Sequence, residues 1–343
     1  MIRFRLAAAA FLLAAACGGP SGGREGVVRV GFFPNITHSQ ALIGLARGDF
    51  QEALGDGVRI EAVQFNAGPS VIEAIFAGEL DIAYIGPNPA ITGYVRSGGE
   101  ALRIVSGATS GGAALVVRPG LGLRSAADLA GRRIATPQLG NTQDVALRQY
   151  LAAAGLEPVE NGGDVEVVPT ENPQILDLFK QGEIDGAWVP EPWASRLILE
   201  GGGELFVDER DMWPGGDFVT ACVIVSTPFL ERHPEIVKAW LGAHVEVTLW
   251  ERENPGEASA LLNSEIERLT GKAMPEAVIS MALDRMTPTW DPVQSSLRAS
   301  AEAAWRCGFL DTEPDLSGIC DLSLLEEVLE EKGLQPLEQS VEP

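Results

Sequence analysis

A chain of 343 residues has room for about two domains, and its 45% hydrophobic and 21% charged residues fit a globular core, which excludes a small disulfide scaffold and a disordered tail. Twenty-five Lys and Arg against 48 Asp and Glu give a formal charge of -23, which repels a phosphate backbone and excludes nucleic acid as the expected partner. Glycine (39) and proline (22) are abundant, whereas histidine and tyrosine number 3 each, so turns are many and groups for imidazole chemistry few.

Arg3 and Arg5 precede an apolar run, Leu6 to Ala16, too short to span a bilayer core of about 30 Å as a helix and shaped like a secretory h-region. Residues 1–16 are predicted to be a signal peptide. The run Leu13-Ala14-Ala15-Ala16-Cys17-Gly18 resembles the lipobox of bacterial lipoproteins, with Ala14 where that family most often has Leu. The resemblance implies lipidation at Cys17 and an anchor at the outer face of the bacterial cytoplasmic membrane. Residues 17–26 have the composition of a flexible tether. Removing Arg3 and Arg5 with the leader takes the mature charge from -23 to -25.

From Val27 onward, short β-branched runs alternate with amphipathic stretches, the pattern of an α/β fold with mainly parallel strands. Val27 to Phe33 reads as a strand, Pro34 to His38 as a turn and Ser39 to Gly48 as a helix. The same order returns at Arg133 to Thr136, Pro137 to Thr142 and Gln143 to Ala153. Gly78-Glu79-Leu80-Asp81-Ile82-Ala83-Tyr84-Ile85 reappears as Gly182-Glu183-Ile184-Asp185-Gly186-Ala187-Trp188-Val189, 104 residues on, and the same offset carries Pro69 onto Pro173. Two lobes built alike is the simplest reading. Two segments connect them: Ala113 to Val117 leads out of lobe one and Phe218 to Val225 leads back. Lobe one therefore comprises residues 27–114 and 222–332, lobe two residues 115–221, and residues 333–343 a loose tail. Cys307 and Cys320 flank a short loop, and either a disulfide or two separate buried thiols fits them.

Signal peptide, lipobox, lobe, crossover, second lobe, return strand and C-terminal helices together resemble a solute-binding protein of an ABC importer with two crossover segments, the type II periplasmic-binding-protein-like fold. Four motifs are similar to the aliphatic sulfonate, taurine and nitrate-binding branch: Gly31 to His38 (GFFPNITH), Tyr84 to Ala90 (YIGPNPA), Ala135 to Asp144 (ATPQLGNTQD) and Trp188 to Ala194 (WVPEPWA). The resemblance covers residues 27–332. It implies capture of a small anion or zwitterion, an alkanesulfonate or taurine first, in a cleft between the lobes, delivery to a permease and ATPase pair, no cofactor, no metal, and a monomer.

The residues themselves favour an oxyanion. Open α/β sheets bind ligands at the carboxyl ends of their strands, where helix N-termini aim free amides into the crevice. The turns expected there carry Asn35, Thr37 and His38; Gly68, Pro69 and Ser70; Gly86, Pro87 and Asn88; and, from lobe two, Gln138, Gly140, Asn141 and Thr142. None has a lysine or arginine. Two roles are open to Thr37, Asn88 and Asn141, helix cap or ligand contact. Trp188 is expected to line the cleft, with Trp193 and Trp290 as core aromatics. Glu191, Asp144 and Glu171 pose the remaining question: a carboxylate facing the cleft would repel nitrate or sulfate and pair with an amine such as taurine's. With Trp188 it would also suit a thiamine-type pyrimidine. Nitrate and bicarbonate are the smaller anions that fit the same cage of amides.

Enzyme readings lack support. No His-Glu-x-x-His or Walker loop is present, and His38, His233 and His244 are scattered too widely for a metal triad. A catalytic homologue of the same architecture and an extracellular sensor module are weaker readings, the first opposed by the lipobox.

Overall fold

A computed structural model describes residues 26–337; the predicted signal peptide, Cys17 and residues 338–343 lie outside the described residues. The chain runs β1 (Val27–Phe32), α1 (Ser39–Arg47), α2 (Asp49–Leu54), β2 (Arg59–Gln64), α3 (Gly68–Phe76), β3 (Ile82–Ile85), α4 (Pro87–Arg96), β4 (Leu102–Gly111) and β5 (Ala113–Val117). It continues with β6 (Arg133–Thr136), α5 (Thr142–Ala153), β7 (Glu166–Pro169), α6 (Asn172–Gln181), β8 (Gly186–Pro190), α7 (Trp193–Leu199), β9 (Glu204–Asp208) and β10 (Val219–Ser226). The C-terminal part holds α8 (Thr227–Arg232), α9 (Pro234–Glu253), α10 (Pro255–Thr270), α11 (Glu276–Leu283), β11 (Met286–Pro288), α12 (Gln294–Arg306) and α13 (Ser323–Glu331).

Two sheets result, ordered β11-β4-β10-β3-β1-β2 and β7-β6-β8-β5-β9. In each, three parallel strands are continued by antiparallel ones. The two orders superpose strand for strand: β2-β1-β3-β10-β4 on β7-β6-β8-β5-β9. Strand β5 follows the first four strands in sequence yet lies in the second sheet, and β10 follows the next four yet lies in the first. Each unit has thus exchanged its last strand with the other, which makes the lobes discontinuous.

The switch falls at Gly111 and Gly112, with φ of 75° and 79°, a left-handed pair that side chains disfavour. All of β5 therefore belongs to lobe two, starting two residues before the expected 115, and all of β10 belongs to lobe one, starting three residues before the expected 222. Boundaries read from sequence cut both strands mid-run, because a fully buried strand carries no internal sign of which sheet it joins.

The 104-residue repeat has a structural core. The Arg29 amide donates to Asp81 at 2.8 Å and the Asp81 amide to the Arg29 carbonyl at 3.0 Å; Arg133 and Asp185 repeat both bonds at 3.0 and 2.8 Å. Each carboxylate thereby fixes the register of a neighbouring parallel strand. Apolar side chains of the first sheet bury on both faces. Val28, Val30, Tyr84 and Val223 pack under α1, α2 and α9, and Ala83, Ile85 and Ile224 under α3, α4 and α12. Full burial of each Val or Ile contributes roughly 1.5–3 kcal/mol. The tail is anchored further than expected, with Leu334 and Leu337 half-buried against the lobe-one core. Cys222, Cys307 and Cys320 are free thiols, so of the two readings of Cys307 and Cys320 the unlinked one holds.

Candidate functional site

Between the lobes lies a cleft at the carboxyl ends of both sets of parallel strands. Its lining follows the repeat: Phe33 and Pro137, Thr37 and Asn141, His38 and Thr142, Gly68 and Asn172, and Gly86 and Pro190 all line it, and the members of every pair stand 104 residues apart. Asn35, Asn66, Ala67, Pro89, Gln143 and Thr220 complete the wall, and no Asp, Glu, Lys or Arg is among the lining residues.

Five helices start here. Helices α1, α3 and α4 come from lobe one and α5 and α6 from lobe two, and α1, α3, α4 and α6 begin without a side-chain cap, leaving amides and the partial positive charge of the helix end directed at the cleft. Helix α5 differs. Asn141 Oδ1 accepts from the Asp144 amide at 2.9 Å, while Asp144, wholly buried, accepts from the Gly140 amide, the Thr136 hydroxyl and Arg148 Nε at 2.8 to 3.1 Å. Asp144 is thus the organiser of the loop that presents Asn141 and Thr142.

Polar atoms without partners aim at the same space. Thr142 Oγ1 and Asn172 Oδ1 are buried and have no hydrogen bond among the described residues, although a buried polar atom ordinarily finds a partner. His38 adds a third group. The Phe33 amide donates to its Nδ1 at 3.2 Å, which leaves the ring proton on Nε2, an atom with no hydrogen bond among the described residues. Burial pushes the imidazole down to about 3, so the ring is neutral and offers N–H without a charge.

Because the histidine stays uncharged above about pH 3, anion affinity measured by calorimetry is expected to be flat between pH 5 and 8. An affinity rising about tenfold per unit below pH 6.5 would show instead an imidazolium in the site.

The lobes are closed on one another. Trp193 Nε1 donates to Asn35 Oδ1 at 3.0 Å, Asn66 Nδ2 donates to Glu171 Oε1 at 3.1 Å, and Arg285 Nη1 donates to Glu191 Oε1 at 3.1 Å, each across the lobe boundary. The central space left is about 30 Å³, room for one or two waters.

Of the residues expected in the site, Asn35, Thr37, His38, Gly68, Gly86, Asn141 and Thr142 come together in the cleft. The others do not. Trp188 is wholly buried on the opposite face of β8, against Tyr150 and Leu115, with its Nε1 donating to Glu209 at 2.7 Å. Strand alternation explains the error: Ala187 and Val189 face α6 and α7, so Trp188 must face α5. Its repeat mate Tyr84 is buried likewise, with its hydroxyl on His244 Nδ1 at 3.0 Å.

Glu191 is also wholly buried, its second oxygen accepting from the Ser195 amide at 3.0 Å. Burial raises its pKa, against the pull of the Ser195 amide and Arg285. Asn88 neither caps nor faces the cleft; its Nδ2 donates to the Ser300 carbonyl at 3.0 Å and ties α4 to α12. Ser70 is exposed on α3, Pro87 is buried in the first turn of α4, Gln138 serves through its carbonyl to the Asn141 amide, and Gly140 faces Phe309. Missed were Phe33, Asn66, Ala67, Pro89, Pro137, Gln143, Asn172, Pro190 and Thr220. The 104-residue offset applied to Gly68 and Gly86 would have found Asn172 and Pro190.

Comparison with known proteins gives a consistent set of likenesses. The sequence profile of the NMT1-like family matches residues 23–263. A putative aliphatic sulfonates-binding protein of Bacillus subtilis (strain 168) is 26% identical over 335 residues, 95% of this chain and 96% of that one. The fold matches that of the alkanesulfonate-binding protein SsuA from Xanthomonas axonopodis pv. citri bound to MOPS, with a TM-score of 0.72 at 20% identity over 87% of this chain and 99% of the other. It also matches the periplasmic nitrate-binding protein NrtA from Synechocystis PCC 6803, with a TM-score of 0.71 at 16% identity and 89% of each chain covered.

Proposed function

The chain belongs to the NMT1-like family, and we propose on that premise that it is the solute-binding component of an ABC importer. In this reading it is exported, held to the membrane by a lipid on Cys17, and captures a small sulfonate-type oxyanion without changing it chemically. Closure of the lobes over the anion presents the loaded form to a permease and its ATPase. One observation carries the reading: five helix N-termini and the unpartnered Thr142 Oγ1 converge on a cleft whose lining has no ionised side chain. Neutral donors hold an oxyanion and leave no buried charge unpaired when the lobes part and the ligand leaves.

The same lining ranks the ligands. Asp144 and Glu191 are engaged inside the protein, and Glu171 is held at the cleft mouth by Asn66. A sulfonate without an amine therefore fits best, and taurine must leave its ammonium at the mouth. A pyrimidine loses its support, because Trp188 and Glu191 both lie away from the cleft. Nitrate or bicarbonate is the second reading, favoured by the small central space of about 30 Å³.

Thermal unfolding of the purified protein against methanesulfonate, longer alkanesulfonates, taurine, nitrate, bicarbonate and an aminopyrimidine tests this. A ligand at a hundred times its Kd adds about 2.7 kcal/mol, a shift of several degrees. Thr142→Val, which keeps the shape and removes the hydroxyl, should abolish most of the shift. It is a cleaner probe than Asn141→Ala, which also removes a helix cap. Stabilisation by the pyrimidine alone, or by none of the anions, overturns the reading.

A further inference from the structure

Beside the anion pocket, and sharing Asn35, Asn66 and Asn172 with it, lies a second chamber of about 360 Å³. Pro34, Ile266 and Met274 of lobe one and Pro173, Pro192 and Trp193 of lobe two wall it. Asn35, Asn66 and Asn172 form the boundary between the two spaces, and Asn35 also accepts the Trp193 Nε1 hydrogen bond.

Charge distinguishes this chamber from most of the surface. In a chain with 48 acids and a net charge of -23, it is lined by Arg196 and Lys272 and by no carboxylate. Arg196 lies over the Trp193 ring, 4.6 Å from its centroid, and is paired with Glu200. Lys272 is exposed and has no ion pair among the described residues.

The geometry points to a second subsite that takes the far end of a bifunctional ligand: a short apolar chain joining the oxyanion head to a second anionic group, such as an ω-carboxyalkanesulfonate. This rests on the head-group reading and extends it. The head pocket has no room for a chain, whereas the adjoining chamber holds roughly a dozen water-sized groups. Its proline, tryptophan, isoleucine and methionine walls favour methylenes over water. Lys272 then meets the terminal anion at the rim.

Calorimetry on the full-length protein with methane-, propane- and pentanesulfonate and with 3-sulfopropanoate, at low and high salt, tests the assignment. Affinity is expected to rise roughly fourfold per methylene. The carboxylated ligand should gain about two- to fivefold over the alkanesulfonate of equal chain length, a gain that fades with salt. Lys272→Glu, on an exposed side chain, should reverse that preference and leave methanesulfonate binding unchanged; Trp193→Ala should flatten the chain-length dependence. If methanesulfonate binds and neither chain length nor the carboxylate matters, the chamber is overturned and the head-group reading stands. If no oxyanion binds, both fall.

Discussion

Gly86→Val should lower anion affinity about a hundredfold while moving the unfolding temperature of the ligand-free protein by no more than a few degrees. Gly86 is the residue before α4, with φ of -70° and ψ of 155°, a conformation open to any residue, so the backbone itself is not strained by a side chain. What a side chain meets first is the other lobe. A Cβ at this position would stand 2.4 Å from Thr142 Oγ1, 3.4 Å from Thr142 Cβ and 3.6 Å from the Thr220 carbonyl oxygen. Rotation of the Thr142 hydroxyl relieves the first contact for alanine. The further methyls of valine press on Thr142 Cβ, and the lobes must part.

Overpacking of this kind costs about 1–3 kcal/mol. In the proposed cycle only the closed state binds, so that cost is taken directly from the affinity. Calorimetric titration beside small-angle scattering separates the loss of affinity from the loss of closure, since the variant should scatter as the open form even with ligand present. An unchanged affinity would mean that this closed geometry is not the binding state.

The second large effect is at the hinge. Arg285→Ala is expected to destabilise the protein by about 3–5 kcal/mol, as removal of one partner strands a buried charge, and to lower the unfolding temperature by roughly 5–10 °C. Glu191 is wholly buried, and its Oε1 takes Arg285 Nη1 at 3.1 Å. The backbone doubles the link: the Gly112 amide donates to the Arg285 carbonyl and the Glu191 amide to the Gly112 carbonyl, both at 2.8 Å. One knot therefore joins the lobe-switching glycine pair to both lobes.

The sign of the pH dependence is determined by Glu191. Its pKa is already raised by burial, and loss of Arg285 raises it further. A carboxyl with a raised folded-state pKa is most stabilising when protonated, so the deficit of Arg285→Ala should be larger at pH 8 than at pH 5. Adding Glu191→Gln should restore much of the stability at pH 8. A deficit independent of pH would assign the loss to packing of the arginine stem instead.

Much of this molecule can be read in local pattern. Alternating β-branched runs and amphipathic stretches specify the α/β class, the proline and small polar residues before each helix specify where the N-termini lie, and the repeat of Gly78 to Ile85 at Gly182 to Val189 specifies two lobes. These features depend on neighbours within one or two turns of chain, where spacing, capping and proline chemistry act directly. The absence of charge from the turns at Asn35 to His38 and Gln138 to Thr142 is equally visible, and with it the preference for an oxyanion held by neutral donors.

The rest was decided by tertiary packing. Trp188 and Tyr84 sit in matching motifs near the cleft in sequence, but each lies on the strand face turned away from it, where Glu209 and His244 receive their polar atoms. Glu191 follows a cleft strand, yet its charge is claimed by Arg285, 94 residues later. Asn88 could cap a helix, but α12 offers it the Ser300 carbonyl. In each case the side chain's type was legible and its partner was not. A strand or helix fixes its own periodicity from local sequence, whereas the side that is buried, and the charge that neutralises a buried acid, depend on which distant element packs against it.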